Sequence, residues 1–145
     1  MIKVLWIYPN NDTGYKLILK KLNKTKNKNI SIVPNYERSE FIKILQQSSG
    51  IIGNSSCGII EASLFKIPVI NIGNRQNGRP QSSNIVNCKP EIQSIIKSIN
   101  FIRRNKNFIN SLRNTKNLFY KKKSGEVIGK ILTNLKHDNH LLKKY

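Results

Sequence analysis

Four short apolar runs, Val4 to Tyr8, Ile30 to Val33, Ile51-Ile52 and Ile67 to Ile72, are separated by stretches whose apolar residues recur at helical spacing. That alternation leaves little choice of fold. A helix between two strands carries the chain back across a sheet, so successive strands pair in parallel and the helices cover the faces. Tyr15, Ile18, Leu19 and Leu22 keep the helical spacing after the first run, and Phe41, Ile42, Ile44 and Leu45 keep it after the second. The loop cluster Pro9-Asn10-Asn11-Asp12 and the hydroxyl of Ser39 offer caps for these two helices, and a third runs to about Lys66. Pro68 falls near the start of the fourth run, where a missing N–H is best tolerated. Ile85-Val86 gives a short fifth strand, Pro90 to Phe101 a helix carrying Ile92, Ile95, Ile96 and Ile99, and Phe108 to Tyr120 and Ser124 to Leu142 further helices. The expectation is an α/β fold, a Rossmann-like doubly wound domain with a mainly parallel sheet. Ligands of such sheets bind beyond the carboxyl ends of the strands. The loops after Tyr8, Val33, Ile52 and Ile72 then share one rim, bringing Asn10, Tyr36, Ser55 and Arg75 toward a common cleft.

The third strand ends in the run Gly53-Asn54-Ser55-Ser56-Cys57-Gly58 and passes directly into a helical pattern, Ile59-Ile60-Glu61. Small residues let backbone N–H groups approach a ligand, and the unpaired N–H groups opening a helix near Ser56 carry partial positive charge. A phosphate is the expected guest. Glu61 follows Cys57 by one helical turn, so its carboxylate can accept hydrogen bonds from a pair of sugar hydroxyls at the same mouth. Phosphate plus diol suggests a nucleotide. An ordinary strand-to-helix turn capped by Ser55 gives the same local pattern, and context has to decide between the two.

The chain has 145 residues, enough for one domain, residues 1–145, that buries roughly two-thirds of its unfolded surface. Its formal net charge of +19 would ordinarily point to nucleic acid or an anionic membrane. The make-up of that charge argues otherwise. Lysine, asparagine and isoleucine are abundant while Ala62 is the only alanine, the signature of an AT-rich gene. The basic residues are scattered, with tight runs only at Lys20-Lys21, Arg103-Arg104, Lys121-Lys122-Lys123 and Lys143-Lys144, and no stripe interleaved with aromatics. Nucleic acid is therefore set aside as the main partner. Cys57 and Cys88 are too few for a disulfide framework and lack zinc-ligand spacing, which fits a reducing compartment and makes cytoplasm the expected location. The opening residues form too short an apolar run for a signal peptide or a membrane span, so no membrane partner is expected. No metal or cofactor is called for.

The segment Ile52 to Ala62, followed by Phe65 to Arg79, resembles the hydrolysing UDP-N-acetylglucosamine 2-epimerases over a long and specific stretch. Tyr8 to Tyr15 is similar to the first strand-and-loop unit of their carboxyl-terminal half, and the resemblance runs from about residue 4 to residue 135. It implies one half of a GT-B fold, the UDP-binding half. It also implies a reaction: UDP-GlcNAc becomes N-acetylmannosamine and UDP at the start of sialic-acid and related surface-sugar pathways. Residue by residue, Ser55, Ser56, Cys57 and Gly58 receive the UDP phosphates, Glu61 holds the ribose, and Arg75 stands beside the nucleotide with a planar fork suited to phosphate oxygens. Asn10, Tyr36 and Arg79 are weaker candidates.

Two departures bear on function. Where the family reads Asn-Pro-Tyr-Gly-Asp-Gly before its last helix, this chain has Asn117-Leu118-Phe119-Tyr120-Lys121-Lys122-Lys123-Ser124. Loss of the proline and both glycines is expected to lengthen a helix there. Met1 falls where the family's second half begins, so the catalytic acids, histidine and arginine that the resemblance places in the first half are expected on another chain or nowhere. Proton removal at sugar carbon 2, loss of UDP from carbon 1 and hydration of the glycal-like intermediate need general acids and bases. This domain is expected to supply only the leaving-group side, to bind UDP or UDP-GlcNAc, and to have no catalytic residue of its own. His137 and His140 lie far in sequence from the cleft loops and read as surface histidines. Two other readings stay open: the UDP-sugar-binding half of a GT-B glycosyltransferase, against which Asn74 to Arg79 argues, and a basic nucleic-acid-binding domain.

Overall fold

The computed structural model describes residues 2–10 and 12–135, which divide into two compact units, one up to Ser49 and one from Gly50 onward. In the first, β1 (Val4–Ile7) and β2 (Ile30–Val33) pair in parallel, with Val4 opposite Ile30 and Ile7 opposite Val33. Helix α1 (Tyr15–Leu22) connects them and α2 (Arg38–Gln47) follows β2. Leu22 and Leu45, one from each helix, are the buried apolar residues among those described in this unit.

The second unit holds β3 (Ile51–Gly53), β4 (Val69–Ile72) and β5 (Ile85–Cys88) in spatial order β3-β4-β5, both pairs parallel. Helix α3 (Ser56–Ile60) and a 3-10 turn at Ala62–Phe65 lead from β3 to β4, while the polar stretch 73–84 leads from β4 to β5. The α/β class and the parallel strand direction are as the sequence implies, with the strands hydrogen-bonded in two sets, one in each unit. The middle strand is the most buried, as the partner of two others must be. Val69 and Ile70 pack with Ile59, Ala62, Ile67 and Leu112 to form the core. Asn71 is equally buried, and its Nδ2 donates to Oδ1 of its register partner Asn87 at 2.7 Å, so the polar side chain inside the sheet is satisfied. Buried Asn84 likewise donates to the carbonyl of Ile67 at 2.8 Å.

Downstream lie α4 (Ile92–Arg104), α5 (Lys106–Ser111) with a 3-10 turn at Leu112–Asn114, and α6 (Ser124–Asn134). Asn105 caps α5 by accepting from the Phe108 N–H at 2.9 Å, and the Phe101 and Phe108 rings meet across the joint with centroids 5.3 Å apart.

Several local expectations are corrected. The helix expected over Phe108 to Tyr120 stops at Asn114, because the Asn117 side chain takes over the backbone beyond it: Oδ1 accepts from the N–H groups of Phe119 at 2.8 Å and Tyr120 at 2.5 Å. The segment that departs from the family pattern thus keeps a turn, and no helix is lengthened there. The helix after the 54–58 loop is shorter than expected, ending in the 3-10 turn that Lys66 closes at φ +58°. The cap of α1 is Gly14 at φ +88°, with no side-chain bond, and Ser39 lies inside α2 rather than before it. His137, His140 and the rest of the stretch expected to be helical to Leu142 lie outside the described residues.

Candidate functional site

Gly53 sits at φ +153°, a conformation that side chains disfavour, and it turns the chain out of β3. Ser55 then caps α3: its Oγ accepts from the Cys57 N–H at 3.5 Å and its carbonyl accepts from the Gly58 N–H at 3.2 Å. Two of the four residues expected around an anion therefore already direct their amides to Ser55, while Ser56 opens the helix. Gly58 has a further duty. A Cβ built on it would lie 2.9 Å from Cγ1 of Val69, inside contact distance, so the glycine lets α3 lie down on the middle strand.

Arg75 and Gln76 lie on the loop that follows β4. Arg75 Nη1 donates to the Asn54 carbonyl at 3.3 Å, and Gln76 Nε2 donates to the same oxygen at 2.8 Å. The loops after β3 and β4 are thereby joined at one atom, on the edge where ligands of parallel sheets bind. Arg75 is exposed, whereas Gln76 is buried in a loop whose other members from Asn74 to Pro80 are all exposed. Exposed Arg79 closes the turn, its N–H donating to the Gln76 carbonyl at 3.3 Å, but no bond among the described residues joins its guanidinium to the 54–58 loop.

Glu61 is half-buried at the end of α3, with its backbone N–H on the Cys57 carbonyl at 2.9 Å. Burial pushes the Cys57 thiol above its ordinary value and the nearby Glu61 carboxylate adds to that, outweighing the hydrogen bond with Ser55. Cys57 is thus a neutral thiol at neutral pH, a small polarisable wall rather than a nucleophile. Asn10 and Tyr36 belong to the first unit, in the loops that follow β1 and β2; Tyr36 is half-buried and its N–H donates to Asn35 Oδ1 at 2.7 Å.

Sequence reasoning missed Gln76 and Asn117. A glutamine in a polar loop carries no mark that it is buried, so Gln76 gave no signal. Asn117 did leave one: an asparagine kept where the neighbouring turn residues are replaced. Its Nδ2 donates to the Ile60 carbonyl and to Ser63 Oγ, both at 2.7 Å, and Lys66 Nζ donates to the Thr115 carbonyl, so residues 115–120 are fastened to the back of α3 and its 3-10 extension.

Chemically, the gathered groups can do two things: present amide N–H groups, hydroxyls and an arginine to an anion, and present a carboxylate one helical turn away to hydrogen-bond donors. No helix among the described residues is long and apolar enough to cross a membrane.

The chain is similar to known proteins over most of its length. The family model described as UDP-N-acetylglucosamine 2-epimerase matches residues 1–133. The chain is 35% identical over 96 residues to a UDP-N-acetylglucosamine 2-epimerase of Neisseria meningitidis serogroup B, covering 66% of this chain and 26% of the relative. It is 34% identical over 99 residues to the UDP-N,N'-diacetylbacillosamine 2-epimerase (hydrolyzing) of Legionella pneumophila, covering 68% and 26%. It is also 30% identical over 118 residues to the polysialic acid biosynthesis protein P7 of Escherichia coli, covering 81% and 30%. The chain thus spans between a quarter and a third of the length of these relatives. With the match reaching from the first strand through α6, the chain belongs to the UDP-N-acetylglucosamine 2-epimerase family.

Proposed function

We propose that this chain is the carboxyl-terminal, UDP-binding half of a hydrolysing UDP-N-acetylglucosamine 2-epimerase, and that it holds UDP or UDP-GlcNAc without turning it over alone. The observation that carries the reading is the junction of two strand-end loops at the Asn54 carbonyl, with Arg75 on one side and Glu61 one helical turn beyond the other. On this reading the diphosphate meets the Ser55 and Ser56 hydroxyls, the open amides at the start of α3 and the Arg75 fork, while Glu61 accepts from the ribose diol. Cys57 and Gly58 form the floor. Arg79 is a further candidate contact.

Charge builds on the leaving diphosphate as the bond to sugar carbon 1 breaks, and fixed dipoles with an arginine stabilise that charge. Proton removal at carbon 2 and hydration of the glycal-like intermediate fall to the family's other half. One face of α6 supports a missing neighbour: Ile128, Ile131 and Leu132 are each more than half exposed. Cytoplasm is the proposed location, and a surface-sugar pathway of the sialic-acid type the proposed setting.

Calorimetric titration tests this. UDP should bind the chain with little dependence on salt, Glu61→Ala should abolish the signal, and UDP-GlcNAc should remain unconverted. A steep salt dependence for a short DNA duplex, with no UDP heat, would instead favour the nucleic-acid reading.

A further inference from the structure

Gln76 is 2% exposed, and its Nε2 donates to the Asn54 carbonyl at 2.8 Å. Its Oε1 is buried with no hydrogen-bond partner among the described residues. A buried amide oxygen without a donor is costly, so the polar interaction that favours this side chain in its position is the bond made by its nitrogen. That bond falls on a particular oxygen. The Asn54–Ser55 peptide is planar and trans, with no cis bond in the described chain, so a carbonyl held toward Gln76 turns the Ser55 N–H the opposite way. Flipping that peptide requires rotation about Asn54 ψ and Ser55 φ, which the Gln76 bond to the carbonyl opposes. Arg75 shares the oxygen at 3.3 Å, but it is exposed and is itself proposed to turn to phosphate.

From this we infer that Gln76 is a positioning residue for the nucleotide site: it locks the Asn54–Ser55 peptide in the orientation that presents the Ser55 amide to a diphosphate. The inference rests on the UDP-binding reading above and assigns the control of that site to a side chain that does not touch the ligand. Because Oε1 has no partner, Gln76→Met removes the single hydrogen bond at nearly constant volume and orphans no donor elsewhere, which makes it a clean variant.

The test uses the isotope-labelled full chain. In the wild type, a scalar coupling across the hydrogen bond should link the Gln76 side-chain nitrogen to the Asn54 carbonyl carbon; its absence overturns the inference. In Gln76→Met the Ser55 and Ser56 amide signals should shift and broaden while those of β4 stay, and UDP titrated into the variant should bind about tenfold more weakly, the loss expected for one hydrogen bond. Gln76→Asn, which keeps the amide but falls one methylene short, should behave alike and stands in if the methionine variant does not fold. A glutamine serving packing alone would lower the melting temperature and leave both the Ser55 signal and the affinity of the folded protein unchanged. The two readings fail separately. If wild type and variant bind UDP equally, the role of Gln76 is refuted and the UDP site stands; if neither binds UDP while Ser55 still responds, the peptide lock stands and the UDP site is refuted.

Discussion

Gly58→Ala separates two duties a glycine can have in a phosphate loop: letting the backbone approach the ligand, or letting a helix approach a strand. The geometry assigns the second. An added Cβ would sit 2.9 Å from Val69 Cγ1, and Val69 is a buried member of the central strand, flanked by β3 and β5, so it has nowhere to retreat. Overpacking of this kind costs about 1–3 kcal/mol. Replacing a helical glycine by alanine returns about 1 kcal/mol or less. The net expectation is a loss of about 1–2 kcal/mol, or a fall in melting temperature of roughly 3–8 °C for a chain of this size. Trp6, the only tryptophan, lies in the first unit, so the unfolding of the second is better followed by amide protection of Ile70 than by fluorescence. Val69→Ala opens the space, and in that background Gly58→Ala should become neutral or stabilising, a coupling of about 1–2 kcal/mol in the double-mutant cycle. UDP affinity of the folded variant should stay within about threefold of wild type, less than the effect of one lost hydrogen bond to the ligand. A Gly58→Ala protein of unchanged stability that has lost UDP would refute the packing argument and return the glycine to the ligand.

The remaining expectations concern the thiol, the turn and the two kinds of apolar surface. In a Cys88→Ser background, Cys57 should alkylate slowly at neutral pH and faster as the solution becomes alkaline, and UDP should protect it; rapid modification at pH 7 would show a thiolate and contradict the burial. Since folding raises this pKa above 9.0, the stability it contributes is complete below pH 9.0 and declines as pH rises from there through the folded value, which urea midpoints across that range should record. Asn117→Ala deletes bonds to Ile60 and Ser63 and frees the N–H groups of Phe119 and Tyr120; it should cost about 2–3 kcal/mol and speed amide exchange at 119 and 120, whereas unchanged exchange would mean the turn holds without it. Ile59→Ala, at a fully buried position, should cost about 2–5 kcal/mol, while Ile131→Ala on the exposed face of α6 should change stability by about 0.5 kcal/mol or less; equal costs in denaturant titration would mean that the α6 face is already covered.

The strands were legible because they are short isoleucine-rich and valine-rich runs bounded by breakers, and β2, β3 and β5 lie where those runs are. The 54–58 loop was legible too, because small residues between a strand and a helix are a local pattern. What could not be read is whatever depends on a distant partner. The helical spacing of Phe108 and Leu112 extends on paper to Tyr120, but Asn117 finds Ile60 and Ser63, more than fifty residues away, and its side chain replaces the helix with a turn. The loop after β4 reads as uniformly polar, yet between Asn74 and Pro80 Gln76 alone is buried, where its side chain reaches the Asn54 carbonyl. Gly58 was noticed for its smallness and credited to the ligand, when the atom that forbids a larger residue belongs to Val69, eleven positions on.

These long-range partners share a role: each holds the loop or its short helix in place. Val69 fixes how closely α3 approaches the sheet, Gln76 fixes one peptide of the turn, and Asn117 with Lys66 fastens residues 115–120 to the far end of the same short helix. The groups that would face a nucleotide, Ser55, Ser56 and Arg75, are by contrast exposed or only half-buried. A chain whose composition has moved toward lysine, asparagine and isoleucine can absorb that change wherever side chains face solvent, since surface substitutions cost about 0.5 kcal/mol or less. It cannot absorb it at Gly58 or Val69, where any larger residue meets backbone or core. Geometry set by buried groups lets the 54–58 loop keep its shape in so basic a chain, and it makes the buried shell, more than the serines in front, the part of the candidate site most sensitive to substitution.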